Sequence, residues 1–375
     1  MIFKVYSSLN EHTHNWDHLL PEKHALRSAN LLLLENSCLQ DIQFMYLFFY
    51  NQEETDPVAI AYFQYVHFTT RHYQFPLIRN VIIQPFEKLV MRGGFKILIC
   101  GNLFRVDFPG LFMQNGKPVS TDILTSLEQF FNSIRPSPHA ILLKDWQANG
   151  EGKWLKDHRY HIWPDDLTMK LDLSSEWTTF PDYISAQKHK YAQRVRKVQT
   201  RCAAVIRKEL QLDEIISYSH ELEELYKQVV KKQAIRLVIA NRNYFIEMKK
   251  AYGNSFRIIG YFEKNQLIAF SSHLIYPDSW ELHYVGMDYI KNEFYWLYFN
   301  MMYDGIALAI EGGKKTVELG RTARQAKAML GGKPIYFTSY FRLRGWVVNQ
   351  LVTRLAGNFN EKAGESWQLR NPFKK

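Results

Sequence analysis

The sequence predicts an α/β (α+β) fold made of two tandem units, each with a mixed, mostly antiparallel sheet flanked by helices. Three observations lead to this prediction. The chain has 375 residues, which exceeds the usual size of a single domain core. The second half alternates strand-like and helix-like apolar patterns, and the first half shows a shorter version of the same order. We place the units at residues 1–165 and 166–358, followed by a polar tail at 359–375.

The first half contains a helix, several strands, a second helix and a final strand. Helices are predicted at residues 21–35 and 120–134, and Ser120, Thr121 and Asp122 are available to cap the second one. The polar stretch NQEETDP is typical of a hairpin turn. Strands are predicted for the apolar runs QFMYLFFYN, PVAIAYFQYVHF, FKILICGNLFRVDF and HAILLKDW.

The second half begins after a polar connection and contains more helix. Helices are predicted at residues 180–209, 217–231 and 241–251, and a strongly apolar helix ends at Gly312–Gly313, a typical helix stop. A short helix, ARQAKAML, and a last one, WVVNQLVTRLAGNF, precede the tail, which we expect to be loose. Strands are predicted for LTMKLDLS, FRIIGYFE, QLIAFSSHLIY, WELHYVGMDY, KTVEL and PIYFTSYFR.

Composition and short motifs exclude several classes of protein. No apolar run approaches the roughly 18 residues of a membrane-spanning helix, and the N-terminus lacks the features of a secretory signal. The isolated cysteines, Cys38, Cys100 and Cys202, indicate neither a disulfide framework nor a zinc site, and the histidines show no familiar metal-ligand spacing. We therefore predict a cytoplasmic protein with no metal site, no integral membrane segment and no tightly bound cofactor.

The net charge of +10 is concentrated in one segment, because residues 188–208 contain eight lysines and arginines and no acid. Apolar residues at spacings of 3 and 4 between Tyr191 and Val205 predict a helix whose other positions are basic. Such a helix is either a solvated surface or a site for an anion. The candidate ligands are a diphosphate-linked substrate, coenzyme A, tRNA and an anionic membrane surface. The candidate anion-binding residues are Lys188, Arg194, Lys197 and Arg201.

A nucleic acid is the less favoured of these partners. The chain lacks a second basic segment with interleaved aromatic residues on which bases could stack. We therefore expect an anionic small molecule or acyl-CoA first, tRNA after it, and peripheral contact with a membrane as a further option.

The stretch LGRTARQAKAMLGGKP at residues 319–334 follows the predicted strand KTVEL. A strand that ends in Gly320 before a helix leaves backbone N–H groups and the positive end of a helix dipole facing the loop. Arg321 and Arg324 add positive charge, and Thr322 can cap the helix. The G-x4-G-K-[ST] pattern of a P-loop is absent. These residues therefore indicate either an anion-holding loop or a strand, turn and helix with a solvated basic face.

Several stretches, in this order along the chain, resemble one protein family. They are PVAIAYFQ and CGN in the first half, then Trp177 with YISAQKHKYAQRVRK, then the hairpin GYFEKNQLIAFSSHLIY, and last Gly320-Arg321-Thr322 with Lys327 four residues before Gly331. Over about residues 20–345 the chain resembles the tandem GNAT N-acyltransferases related to the Fem peptidyltransferases of cell-wall synthesis. The resemblance implies two GNAT units with the active cleft on the second.

The resemblance also implies roles for residues near the end of the second unit. In Fem relatives a lysine ahead of a glycine lies at the acceptor and acyl-donor site. Here that lysine is Lys327, which would steady a carbonyl oxygen or a phosphate as charge develops. Gly320, Arg321, Thr322 and Gly331 are implied to belong to the same site. The glycine-rich loop that holds the pyrophosphate of coenzyme A in typical GNAT enzymes is missing, because YIKNEFYW stands in its place.

Acyl transfer to an amine requires a base, or a chain of waters, to take the ammonium proton. Strand alternation in WELHYVGMD places Glu281 and His283 on one face, with Leu282 and Tyr284 on the other. Glu281 and His283 are the candidate bases, and Tyr284 is a candidate proton donor to the leaving group. A structural role with a hydrogen-bonded partner is the alternative for each of them. Glu318 is a weaker candidate.

Three functions follow from these observations. The leading hypothesis is an N-acyltransferase that moves an acyl group, acetyl in the first instance, from acyl-CoA as co-substrate to an amine. The second is a Fem-like transferase that uses aminoacyl-tRNA and a cell-envelope precursor, although no long helical arm is evident in the second half. The third is a non-catalytic tandem GNAT module that binds an anionic ligand, which the missing glycine-rich loop favours.

Overall fold

The computed structural model describes residues 1–51, 56–72, 94–146, 150–163, 166–233, 236–345 and 370–374. The chain divides into two compact units. The first comprises Met1–Asp166, Ala234–Ile239 and Phe337–Ala363, and the second comprises Leu167–Gln233, Ala240–Tyr336 and Gly364–Lys375. The helix predicted for WVVNQLVTRLAGNF lies outside the described residues. No helix of the described part of the chain is long and apolar enough to cross a membrane.

The elements alternate along the chain as follows. The strands are β1 (Ile2–Tyr6), β2 (Ile42–Tyr50), β3 (Ala59–Phe68), β4 (Phe95–Cys100), β5 (Leu111–Met113), β6 (Ala140–Leu143), β7 (His161–Ile162), β8 (Leu167–Asp172), β9 (Ile206–Leu210), β10 (Phe256–Glu263), β11 (Gln266–Ile275), β12 (Ser279–Met287), β13 (Thr316–Gly320), β14 (Lys333–Tyr336) and β15 (Tyr340–Leu343). The α-helices are α1 (Thr13–His18), α2 (Ser28–Asn36), α3 (Thr121–Ser133), α4 (Gly152–Asp157), α5 (Phe180–Ser185), α6 (His189–Arg201), α7 (Leu212–Ser217), α8 (Ser219–Lys231), α9 (Arg242–Tyr252), α10 (Tyr289–Tyr295), α11 (Leu297–Glu311) and α12 (Arg324–Ala328).

The first unit is built on a mixed sheet in the order β1-β2-β3-β4-β6-β15-β7, with β5 beside β3. The only parallel neighbours among its described strands are β4 and β6. Helix α3 covers one face with Ile123, Leu127 and Phe130, while Trp16 and Leu31 of α1 and α2 belong to the cluster on the other face. Because both faces are covered, β3 is a nearly continuous apolar run instead of an alternating one.

The second unit is built on a sheet in the order β14-β8-β13-β12-β11-β10-β9. Its strands pair antiparallel except β12 and β13, which are parallel. Helices α5, α6 and α11 pack on one face around Val198, Ile306 and Val317. Helices α8 and α9 pack on the other face, where the ring of Phe245 meets the ring of Phe270. The mixed, mostly antiparallel sheets flanked by helices confirm the predicted fold class.

The helix predicted at residues 180–209 is divided in the structure. It consists of α5, a break with extended backbone at Lys188, and α6, which ends at Arg201. The remainder is β9, an edge strand that pairs with β10. The prediction was wrong here because the apolar spacing of α6 continues to Val205, whereas the residues from Ile206 onward pair with β10 at the edge of the sheet. Arg207 therefore belongs to a strand and not to the basic helix.

The stretch PIYFTSYFR was predicted as one strand and forms two. Its start is β14, in the sheet of the second unit, and its end is β15, in the sheet of the first unit. Between them Phe337 N donates to Asp166 O, and Ser339 Oγ donates to the Asp166 carboxylate at 2.6 Å. These side-chain and backbone contacts interrupt the strand in a way that the apolar pattern does not reveal.

The end of the predicted loose tail is attached to the second unit. Phe373 pairs with Gln187 through an isolated β-bridge, and its ring packs against Trp177 and Tyr183. Gly331 lies beneath this ring with φ +96°, and a Cβ there would stand 2.3 Å from the ring of Phe373. One aromatic anchor therefore holds residues that the polar composition of the tail predicted to be loose.

Candidate active site

The parallel strands β12 and β13 separate in the middle of the second sheet. Their backbone pairing ends at Glu281 and Glu318, although β12 continues to Met287. β12 stays paired with β11 as far as Met287, so the gap opens on the side of β13 alone. The two strands therefore diverge beyond Glu281 and Glu318.

The parallel strands of the first unit do not separate. β4 and β6 pair up to Cys100 and Leu143, the last residue of each, and Lys144 N then donates to Cys100 O at 2.9 Å. Beyond that point Lys144 and Asp145 form a buried ion pair, and the Asp145 carboxylate accepts a hydrogen bond from Phe108 N. The strand ends of the first unit are therefore closed by backbone and side-chain contacts.

A β-bulge in β12 turns two neighbouring side chains to one face. The pairing with β11 shifts by one residue between Ser271 and His273, and Ser272 Oγ bridges the extra residue by bonding Tyr284 N and Tyr284 O. The rings of His283 and Tyr284 lie 4.2 Å apart, and both contact Tyr244 of α9. The prediction that Tyr284 faces away from His283 was therefore wrong, because strand alternation does not hold across a bulge.

Two carboxylates stand side by side where the strands separate. Glu281 and Glu318 are register partners on parallel strands, so their side chains share a face. The Glu318 carboxylate accepts hydrogen bonds from the Thr168 hydroxyl and from Gly320 N. Desolvation is the largest effect on Glu318 and raises its pKa, and the nearby Glu281 charge acts in the same direction. A raised pKa suits a carboxyl group that has to exchange a proton near neutral pH.

Glu281 belongs to a hydrogen-bonded chain, and its carboxylate also accepts from the Tyr276 hydroxyl at 3.3 Å. Its carboxylate contacts His283 Nδ1 at 2.8 Å, and His283 Nε2 contacts the Tyr244 hydroxyl at 2.6 Å. Because a carboxylate only accepts, Nδ1 carries the proton, and Tyr244 donates to Nε2 when the imidazole is neutral. The Glu281 side chain is 11% exposed, whereas His283 is 2% exposed and Tyr244 is fully buried. Glu281 is thus more exposed than His283 and Tyr244, and His283 contacts both of them.

Lys327 is buried at the end of β13 and is not part of a solvated surface. Its residue is 4% exposed, and its Nζ lies 3.3 Å from the position that a Cβ on Gly320 would occupy. Burial lowers the pKa of Lys327 to about 7, and the charge of Glu318 opposes this shift. The side chain therefore folds back from α12 to the strand end, close to the Glu318 carboxylate. An amine of this kind can hold or release a proton at neutral pH.

A cavity of about 550 Å³ lies where β12 and β13 lead into the following helices. Its volume is in the range of small-molecule sites. The lining is mostly apolar and aromatic with one arginine, and it consists of Arg194, Met287, Tyr289, Asn292, Trp296, Tyr298, Phe299, Ala323 and Met329. Trp296 and Ala323 both have φ of 53°, in the left-handed region that side chains other than glycine avoid. Such strained residues cluster at ligand sites, and both of these line the cavity.

The start of α10 stands where typical GNAT enzymes have the glycine-rich loop, and it carries an acid. The Asp288 carboxylate accepts hydrogen bonds from Ile290 N and Lys291 N at the start of α10, so a fixed negative charge occupies the position where a phosphate would bind. Positive charge comes instead from α6. Arg201 lies over the ring of Trp296 at 4.3 Å, and Arg194 lies over the ring of Phe299 at 5.6 Å.

The other predicted binding residues occupy different places in the second unit. Lys197 lies over Trp296 and so joins Arg194 and Arg201 on the cavity side of α6. Lys188 instead donates to Asn371 O and attaches the C-terminal segment. Thr322 does not cap α12, because the N-cap residue is Ala323, which makes no side-chain cap, and the helix is only five residues long. Gly331 has a packing explanation through Phe373, while Arg321 follows Gly320 at the strand end.

Three residues of this site were missed from the sequence: Tyr244, Thr168 and Trp296. Tyr244 reads only as a buried aromatic residue of a helix, because its partner His283 is 39 positions away. Thr168 lies 150 residues from Glu318 and carries no local signal. Trp296 did carry a local signal. A tryptophan is a favourable partner for the cations that the basic helix supplies.

Comparisons with known proteins bear on the fold. No protein-family model and no curated protein sequence matches the chain. A solved tandem GNAT protein from the clavulanic acid biosynthesis pathway superposes with a TM-score of 0.52 at 10% identity, covering 92% of this chain and 99% of that one. The chain has the tandem GNAT fold.

Two further solved structures are similar to this tandem GNAT chain. The crystal structure of FemX gives a TM-score of 0.47 at 10% identity and covers 95% of this chain and 99% of that one. The C-terminal domain of a putative lysylphosphatidylglycerol synthetase from Agrobacterium fabrum gives a TM-score of 0.45 at 10% identity. The match covers 93% of this chain and 97% of that one. At such identities the likeness concerns the fold, and the activity has to be argued from the site.

Proposed function

We propose that the second unit transfers an acyl group from an acyl-CoA thioester to an amine. The observation that carries this proposal is the separation of β12 and β13 at Glu281 and Glu318, with the His283 chain and the buried Lys327 beside it. The first unit supports the assignment by contrast, because its parallel strand ends are closed.

The cavity provides the donor side. The pantetheine arm of coenzyme A is a flexible amide chain, which would lie where β12 and β13 separate. The aromatic lining receives the apolar parts of the donor, and Arg194 with the neighbouring Lys197 and Arg201 faces its phosphates. These side chains would replace the glycine-rich loop whose position Asp288 occupies.

The carboxylates provide the acceptor side. The amine attacks the thioester carbonyl carbon, the C–N bond forms and the C–S bond breaks. The ammonium proton passes to Glu281, which His283 orients, and Tyr284 returns a proton to the thiolate. Lys327 stabilises the carbonyl oxygen as negative charge develops on it. Glu318, with its raised pKa, stays close enough to exchange a proton with Lys327.

The two alternative functions use the same residues differently. A Fem-like transferase would place the terminal adenosine of an aminoacyl-tRNA on Trp296 under the cations of α6. A non-catalytic module would bind an anion in the cavity and leave the carboxylates unused. These three functions differ in donor binding and in the effect of Glu281 on turnover, so one set of measurements separates them.

The first measurement is calorimetric titration of the full chain with acetyl-CoA, coenzyme A and unfractionated tRNA. We expect both coenzyme A species to bind, and the variant Arg194→Ala to bind about tenfold more weakly, because it loses a charge-assisted contact. Arg196→Ala is the matched control, since Arg196 is exposed on the same helix and does not line the cavity. Equal losses in both variants would show that the cavity is not the donor site.

The second measurement is thiol release from acetyl-CoA in the presence of a panel of primary amines. An acceptor that accelerates release in the wild type, but not in Glu281→Gln, supports the proposal. Binding of tRNA without binding of coenzyme A would favour the Fem-like function. Binding of coenzyme A with no accelerated release by any amine class would favour the non-catalytic module.

A further inference from the structure

Three exposed apolar side chains lie at one corner of the second unit. Ile290 and Phe294 are 70% and 66% exposed and stand one helical turn apart on α10, so they project on the same side. Ile206, 62% exposed, starts the edge strand β9 and pairs with Phe262. The residue after Phe262 is Glu263, which binds Lys291 of α10 and so brings the strand and the helix together. Each of these side chains keeps most of its apolar surface in water, so a cluster of them requires an explanation.

Positive charge surrounds this apolar corner. Arg201 donates to the backbone oxygens of Glu293 and Phe294, and Lys197 lies beside it over Trp296. Within the described residues neither Lys197 nor Arg201 forms an ion pair. Arg207 and Lys208 follow Ile206 on β9 and pair with Asp304 and Glu214. Glu293 is the exposed acid of α10, and the cations of α6 outnumber it.

We infer that this corner, defined by Ile206, Ile290 and Phe294 with Lys197 and Arg201, docks on the surface of an anionic lipid bilayer. Neighbouring apolar side chains that project beside basic residues match the boundary between lipid headgroups and acyl chains, which a short insertion reaches. The neighbouring cations then meet lipid phosphates, each adding attraction within a Debye length. A protein partner would have to offer an apolar groove shaped to these side chains as well as acids, whereas a fluid bilayer surface receives projecting side chains without a matching groove.

Ile206, Ile290 and Phe294 have no part in the proposed acyl transfer, whereas Lys197 and Arg201 are shared with the proposed donor site. Docking would also bring the cavity towards the bilayer. Trp296 connects the two features, because it lines the cavity and also lies under Lys197 and Arg201. A bilayer-bound protein would therefore hold the cavity beside lipid headgroups. Failure of vesicle binding would leave the donor titration unaffected, and failure of the donor titration would leave vesicle binding unaffected.

The test is co-sedimentation of the full chain with vesicles of phosphatidylcholine alone and of phosphatidylcholine mixed with phosphatidylglycerol. We expect binding to the mixed vesicles only, weakening as salt rises. The double variant Ile290→Ser, Phe294→Ser is expected to bind at least about tenfold more weakly, through loss of the inserted apolar groups. Lys197→Gln with Arg201→Gln is expected to lose the preference for anionic lipid.

Two matched controls make the result decisive. Ile162→Ser removes a comparably exposed isoleucine, 64% exposed, from the first unit and is expected to change nothing. Arg196→Gln removes a charge from α6 at a position that does not contact Trp296 or Phe294. No binding of the wild type to anionic vesicles overturns the inference. An equal loss in the control variants, or undiminished binding of the double serine variant, overturns it as well.

Discussion

Lys327 allows the most direct test of the candidate site. The fold buries its amine at a place where a neutral side chain would make the protein more stable. The variant Lys327→Met keeps an unbranched side chain of similar length and removes the charge. Burial lowers the pKa of Lys327 from 10.5 to about 7. One pKa unit corresponds to about 1.4 kcal/mol, so the charged form of Lys327 costs the folded state about 5 kcal/mol relative to the unfolded chain.

The sign of the pH dependence follows from proton binding. Below about pH 7 Lys327 is charged in both the folded and the unfolded chain, so the whole cost is present. Between pH 7 and pH 10.5 the folded chain is mostly neutral at Lys327, while the unfolded chain binds the proton. The stability of the wild type therefore rises relative to Lys327→Met, by up to about 1.4 kcal/mol per pH unit. We expect the variant to be more stable by several kcal/mol at pH 6 and by about 2 kcal/mol at pH 9.

Urea unfolding of both proteins at about pH 6, 7.5 and 9 measures this difference. Lys315→Met is the matched control, because Lys315 is 75% exposed and its difference from the wild type should stay constant over this range. A pH-independent difference for Lys327→Met would refute the reasoning and show that Lys327 titrates as an ordinary lysine. If the more stable variant also loses amine-dependent thiol release, the buried lysine is retained for function at the expense of stability.

Two other substitutions test the catalytic role of the site and the packing that supports it. Glu281→Gln keeps the shape and the contact with His283 but cannot take a proton, so kcat for thiol release should fall about 10²–10⁴-fold while donor binding is unchanged; a parallel rise in the Kd for acetyl-CoA would contradict the role of a base. Gly331→Ala should lower the free energy of unfolding by more than about 1 kcal/mol, because φ is +96° and the new Cβ meets Phe373. Gly313→Ala is its control, with φ +63° and no atom within 4 Å. Equal losses in urea unfolding would mean that the contact with Phe373 adds nothing.

Much of the fold was predictable because it depends on local periodicity. The hairpin of β10 and β11, the strand β12 and the apolar helix α11 coincide with predicted elements, and Gly312 ends α11 as expected. The predictions failed where a distant contact decides the local structure. Extended backbone at Lys188 and the captured edge strand β9 divide a predicted helix, and Asp166 interrupts a predicted strand.

The candidate site shows the same division in its chemistry. The residue types that carry acyl transfer were evident in one strand and one loop, so Glu281, His283, Tyr284 and Lys327 could be named as candidates from the sequence. The arrangement of these residues in space could not be predicted from the sequence. Whether Lys327 is solvated or buried depends on packing of α12 against β13, and the common face of His283 and Tyr284 depends on a bulge in one register.

The sequence by itself determined most of the order of strands and helices, the concentration of basic charge on one helix and the residue types near several strand ends. These properties follow from side-chain period and composition, which are local. The tertiary structure alone decided that Glu281 faces Glu318 across two parallel strands, that Tyr244 reaches His283 and that Lys327 loses its solvent. Each of these depends on residues far apart in the chain meeting in a sheet, where register sets the neighbours and desolvation sets the pKa.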